Sequence, residues 1–137
     1  MYTITVTPRF GDVDVLGHIN NTAPAIWFEQ ARNPFFRIFS PDLVISLDTW
    51  PLIMAHTDFD FVDELRFGHD IEIRTGISRI GTKSFTIYHE AWQQGKLCVK
   101  GNAVIVYFDF NTRQSRPIPE DKKQLLAEHL WDIGSRE

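Results

Sequence analysis

The sequence has little cysteine, no basic run and no long apolar run. Cys98 is the only cysteine, so no intrachain disulfide can form and a thiolate zinc site would need other ligands. In its strand-like setting it reads as a small core residue rather than a nucleophile. Lys and Arg are outnumbered by Asp and Glu, 14 to 18, for a formal net charge of −4. With no basic run to neutralise phosphates, a general nucleic-acid binder is disfavoured and no nucleic-acid partner is expected. No stretch approaches membrane-spanning length, and the chain opens directly on a strand-like run with no leader-like apolar segment, so a cytoplasmic protein with no membrane span is expected. Internal repeats and low-complexity segments are also missing.

What the chain has is apolar material for one real core. The hydrophobic fraction is 43%, with 11 Phe, 4 Trp and 3 Tyr in 137 residues. That suits one globular domain, taken as residues 1–137, rather than two. Tyr2, Ile4 and Val6 alternate with threonines as a strand, ended by Pro8. From Ala23 the spacing becomes helical: Ala23, Ile26, Trp27, Ala31 and Phe35 share one side and Phe28 widens the stripe. Asn21 or Thr22 is the expected N-cap, with Pro24 tolerated in the first turn. Asn33-Pro34 predicts an end or kink near Arg32, with a short helical continuation through Ile38. Ser40–Trp50 reads as loop.

Strand signals then persist. Ile53, Ala55, Phe59 and Phe61 share one parity. Ile71, Ile73 and Ile77 alternate with polar residues, as do Phe85, Ile87 and Ala91 with Thr86, Tyr88 and Glu90. Ala103–Phe108 is apolar on both parities, as in a strand covered on both faces. Short turn-like breaks imply antiparallel neighbours, and Pro119–Trp131 reads as a closing helix. The order β-α-β-β-β-β-α predicts an α+β fold: a five-stranded antiparallel sheet wrapped around a central helix, plus a C-terminal helix.

Between the first strand and the helix lies Arg9-Phe10-Gly11-Asp12-Val13-Asp14-Val15-Leu16-Gly17-His18-Ile19-Asn20-Asn21. A polar segment opening a helix can serve chemistry, because its backbone N–H groups lack intrahelical partners and the macrodipole favours negative charge there. An upstream acid can face a carbonyl whose oxygen those N–H groups hold. The same residues also suit loop and cap roles.

The loop, followed by Ala-Ile-Trp-Phe-Glu-Gln-Ala-Arg, the Arg79–Phe85 hairpin and the strand ending Tyr107-Phe108-Asp109, resembles the hotdog-fold thioesterases, in particular the hydroxybenzoyl-CoA thioesterase-like branch. The resemblance covers nearly the whole chain. It implies an acyl-CoA thioesterase, a homodimer or homotetramer with active sites between subunits and no metal or redox cofactor. On it, Asp14 is the catalytic carboxylate and the Asn21 backbone N–H polarises the carbonyl. Because a thioester is already activated, a carboxylate and an oxyanion donor suffice.

Gly17 then supplies backbone conformation or ligand room. His18 orients the thioester or water, or fixes the loop, and Asn20 holds the loop at the substrate's edge. Arg79 and Lys83 are candidates for the coenzyme A phosphates, which cations would favour. Glu29 is a competing helix-borne carboxylate, but its spacing from Arg32 reads as an ion pair at a surface or interface. Asp58, Asp60 and Asp63, with His56 near, are read as a solvated strand edge rather than a metal site. The Gly-His-Ile-Asn-Asn run keeps an acyl-carrier-protein thioesterase as an alternative, and a non-catalytic acyl-ligand binder on the same fold as another. A hydratase of this fold fits poorly: its Asp-x-Asn-Pro-x-His pattern is missing.

Overall fold

The computed structural model describes residues 1–132; residues 133–137, which the single-domain expectation includes, lie outside the described residues. Strand β1 (Tyr2–Val6) leads through a 3-10 turn at Phe10–Asp12 to α1 (Ala23–Ala31) and α2 (Asn33–Phe39). Four strands follow: β2 (Leu52–Phe61), β3 (Ile71–Ile80), β4 (Ser84–Gln93) and β5 (Lys96–Asp109). A two-residue strand β6 (Gln114–Ser115) and helix α3 (Glu120–Ala127) close the chain. The five long strands form one antiparallel sheet in the order β1-β3-β4-β5-β2, with β6 beside β5. α1 lies against its concave face, the hotdog arrangement. No helix among the described residues is long and apolar enough to cross a membrane.

The core has two parts. Trp27, Phe28 and Ala31 of α1 pack on Ile71, Ile73, Ala91, Cys98 and Val99 of the sheet. Phe35 of α2 and Leu126 of α3 cover Ile77, Phe85, Ile87, Ala103 and Ile105. Cys98 is buried in the first part, and that burial pushes its thiol above the usual range, so it is the inert core residue expected.

The helix broke where Asn33-Pro34 placed the break, because proline at the second position of α2 cannot donate to a continuing α1. The stripe itself is rotated from the expected one. Ala23, Pro24, Trp27, Phe28 and Ala31 are buried, whereas Ile26 is 59% exposed. At about 100° per residue that buried arc puts Ile26 on the far side. β2 also departs from its expected parity. A bulge between Met54 and His56 shifts the register, leaving Ala55 and Phe61 exposed and Phe59 half-buried. On β4, Tyr88 and Glu90 are buried rather than solvated. Trp131 packs edge-on against Tyr88, and Glu90 accepts hydrogen bonds from Tyr88 and Trp92. The segment His129–Trp131 bonds to Ile77 of β3, continuing the edge where β1 runs out. On β5, Ala103 and Ile105 are buried while Val104 and Val106 are only half-buried, so that strand is not fully covered on both faces.

Close approach of helix to sheet depends on Gly101. A Cβ there would lie 2.9 Å from Phe28 Cε2 and 3.0 Å from the Asp58 carbonyl oxygen. Gly101→Ala is expected to destabilise the protein by about 1–3 kcal/mol, the usual range for overpacking. A urea melt with an unchanged midpoint would show that α1 is free to move away from β5.

Candidate active site

The loop between β1 and α1 is built by its own polar residues. Asp12, 6% exposed, accepts the Arg9 backbone N–H on Oδ2 at 2.7 Å and Arg9 Nη2 on Oδ1 at 3.1 Å. The Arg9 guanidinium holds its carboxyl below the usual range. Asp12 is therefore consumed in closing the 3-10 turn. Val13 and Ile19 pair as a short antiparallel bridge, and the chain reverses between them through Gly17, whose φ of 81° favours glycine.

Asp14 sits inside that reversal. Its Oδ1 accepts the backbone N–H groups of Leu16 at 2.9 Å and His18 at 3.2 Å, and its own N–H donates to the His18 carbonyl at 2.8 Å. These bonds fix the carboxylate and leave Oδ2 with no hydrogen-bond partner among the described residues. Thr22 is the N-cap residue, one of the two expected, and Asn20 braces it from the turn before the helix. The Asn20 Oδ1 accepts both the N–H and the hydroxyl of Thr22, at 3.0 and 3.1 Å, and its carbonyl accepts the Ala23 N–H. The Thr22 side chain makes no cap bond. The Asn21 N–H has no protein acceptor among the described residues, at the end of α1 where the helix field favours a negative oxygen.

Asp14, His18, Asn20 and Asn21 line one cavity of about 370 Å³, with Pro24 at its helix side. Its other wall comes from Phe61, Asp63, Glu64, Leu65 and Val99. Ile19 N–H donates to the Leu65 carbonyl at 2.9 Å and seats the loop on that wall. His18 Nε2 lies 3.2 Å from Glu64 Oε2, so the imidazole is oriented by the opposite wall, while the backbone of His18, not its ring, fixes the loop. Glu64 also pairs with Arg66, and Asp63 with Lys96. Lys96 holds the Asp63 carboxyl below the usual range. Sequence reasoning missed Glu64 and the rest of this wall. They lie more than forty positions away, and only strand pairing brings them in.

Arg79 and Lys83 do not join this cavity. They lie at the β3–β4 hairpin, whereas the loop adjoins the Ile71 end of β3. Eight residues of extended strand separate Ile71 from Arg79, about 26 Å, so within one chain these cations cannot reach a ligand's nucleotide end unless it spans the sheet. Glu29 is exposed on α1 and does not line the cavity. Arg32, expected in a surface or interface ion pair with Glu29, is instead 5% exposed and makes no ion pair with it among the described contacts. His56 and Asp58 bond to each other, and Asp58 also accepts Asn102 Nδ2. Among the described residues, no group of three His, Cys, Asp or Glu side chains is placed to hold a metal.

Comparison with known proteins gives the family and the fold. Residues 8–127 match the family model of the thioesterase-like superfamily. A solved structure described as a predicted thioesterase from Bacillus stearothermophilus is 42% identical, with TM-score 0.90 over 97% of this chain and 98% of that one. A thioesterase from Thermus thermophilus, complexed with coenzyme A and Zn, is 26% identical, with TM-score 0.76 over 89% and 94%. Among curated proteins, the uncharacterized protein YsmA of Bacillus subtilis (strain 168) is 23% identical over 88% of this chain and 82% of its own. The chain belongs to the thioesterase-like superfamily and is a thioester hydrolase of hotdog fold.

Proposed function

We propose that this protein hydrolyses acyl-CoA thioesters at the cavity between the Asp14 loop and the start of α1. The observation that carries the reading is the convergence there of a fixed carboxylate with a free oxygen, Asp14 Oδ2, and an unpartnered backbone N–H, that of Asn21. A thioester carbonyl bound between them meets a nucleophile or base on one side. On the other it meets a donor for the oxygen that becomes negative as the tetrahedral intermediate forms. The donor is already oriented, so it stabilises that charge without reorganising. His18, held by Glu64, stands beside the reacting centre, and Gly17 and Asn20 shape the loop edge. Coenzyme A as the carrier is supported by its presence on the Thermus relative. Asp63 and Glu64 at the wall would repel an acidic carrier protein, which weighs against that alternative.

The test is free-thiol release from short, medium, long-chain and aryl acyl-CoAs. Turnover of at least one is expected, and no release from any would overturn the reading. A single turnover in ¹⁸O water then separates two roles for the carboxylate. Label incorporated into Asp14 means that Asp14 attacks the carbonyl carbon and water opens the resulting anhydride at the Asp14 carboxyl. If the label is only in the released acid, hydroxylamine trapping of an acyl-enzyme separates an anhydride opened at the acyl carbon from activation of water.

We also propose that the protein works as a homodimer or homotetramer. β2 is a ten-residue outer strand, and its Met54 and Phe61 are 45% and 52% exposed. Long edges of this kind are covered by pairing with another chain. Sedimentation is expected to give at least twice the 15.9 kDa chain mass; a monomer would refute the assembly.

A further inference from the structure

The mechanism leaves unused a buried cation at the far end of α1. Arg32 is 5% exposed, yet its Nε has no acceptor and Nη1 reaches only His89 Nε2, at a long 3.4 Å. A guanidinium has five donors and no acceptor, so the His89 nitrogen facing it accepts, and Nδ1 carries the ring proton towards Thr75 Oγ1, 2.9 Å away. The ring is thereby neutral and returns no charge to the arginine. Glu29, one turn earlier, attracts the guanidinium at a distance but forms no ion pair with it. A buried unpaired charge is costly.

Arg32 lines a second cavity of about 350 Å³, separate in its lining from the Asp14 cavity. Its walls are largely apolar, with Phe36, Trp50, Leu52, Ile53 and Ile105, while Glu29 and Asn33 line it beside Arg32 on the helix side; Phe36 and Trp50 stand edge to face at 5.8 Å. Arg32 lies eleven residue steps beyond Asn21, about 16 Å along the axis. A largely apolar slot with a guanidinium that is paired with no carboxylate of its lining matches one ligand chemistry, a hydrocarbon tail bearing a carboxylate, which a guanidinium N–H binds as a charge-assisted hydrogen bond.

We propose that this cavity binds the carboxylate of an apolar organic acid, with Arg32 as its counter-charge. Two sources supply such a group: a free carboxylic acid, or the far carboxylate of a dicarboxylic acyl thioester. The second rests on the acyl-CoA reading; the first does not. Calorimetry with octanoate and with octylammonium, equal in tail and opposite in charge, tests the site without any turnover. Saturable octanoate binding is expected, with octylammonium at least tenfold weaker. Arg32→Gln should weaken octanoate at least tenfold. Glu29→Gln, which removes the nearest competing anion, should not weaken it. Equal binding of the two probes, no saturable octanoate binding, or unchanged affinity in Arg32→Gln would overturn the proposal.

Should Arg32→Gln fail to fold, Ile45→Glu replaces it. Ile45 lines the cavity and is 79% exposed, so the fold tolerates the change, and the added charge should weaken octanoate severalfold. Unchanged affinity there would count equally against the site. Comparing kcat/KM for dodecanedioyl-CoA and dodecanoyl-CoA assigns the source. If Arg32→Gln removes a preference for the dicarboxylic substrate, the site reads the far end of the acyl chain. If it alters octanoate affinity alone, the ligand is a free acid.

Discussion

Asp14→Asn is expected to lower acyl-CoA turnover on the order of 10³-fold, about 4 kcal/mol of transition-state stabilisation, while leaving the fold in place. The substitution isolates charge from scaffold. Asparagine keeps an Oδ1 that can accept the Leu16 and His18 N–H groups, so the reversal around Gly17 retains its bonds. Only the negative charge and the basic oxygen are lost. The melting temperature should therefore stay close to wild type. Asp12→Asn provides the contrast: its carboxylate meets the Arg9 guanidinium, so its loss loosens the loop and lowers stability along with activity. If Asp14→Asn kept turnover within tenfold of wild type, the carboxylate would be a loop residue only. The oxyanion donor is tested by Asn21→Ala, which keeps the backbone N–H and should cost at most a few fold. A large loss in that variant would shift the role from backbone to side chain.

The loop half of the candidate site was legible because it is local. The Asp-x-Asp pair, the glycine and the helix start fall within a dozen positions, and their geometry follows from short-range hydrogen bonds. The Asn33-Pro34 break and the alternation of Ile71, Ile73 and Ile77 were legible for the same reason: each depends on backbone sterics or on period alone. Features set by distant pairing were not. Glu64 reaches His18 only because Leu65 receives Ile19. Tyr88 is covered because the chain returns some forty residues later with Trp131, and Glu90 accepts hydrogen bonds from Tyr88 and Trp92. Ile26 and Arg32 show a subtler limit. A helix wrapped by a curved sheet is enclosed over a wide arc, so a polar residue at its end can be drawn inside while an isoleucine on the open side stays wet. Arg79 and Lys83 were placed by the resemblance and not by any local signal. The strand register sets them at the other end of the sheet from Asp14.

The same burial that pulls Arg32 inside makes His89 the protein's largest expected acid liability. The ring is 1% exposed, stacked on Phe28 at 4.6 Å and faced by Arg32 from the helix end and by the uncharged Thr75 from β3. Burial first, and the arginine charge second, push its pKa down to about 3. Its ordinary value is 6.5, so the unfolded chain takes up a proton at mildly acidic pH that the folded chain refuses. For such a depressed histidine the stability is fully present above the unfolded value and is lost as pH falls below it, at up to about 1.4 kcal/mol per pH unit. The informative window is pH 6.5 to 4.5, above the range in which Asp12, Asp58, Asp63 and Asp109, all held low, begin to protonate. Urea melts across that window should lose about 2 kcal/mol in the wild type through this group. His129 is also held below its ordinary value by burial, so the measurement needs His89→Gln, which keeps an acceptor for Arg32 and removes the His89 titration. Its stability is expected to be lower at neutral pH but nearly flat over the same window. Equal slopes in the two proteins would mean that the ring is protonated in the folded state. A protonated ring would set a second cation beside Arg32 and still leave it without a counter-charge, so that result would overturn the burial-driven depression of His89 and not the carboxylate site.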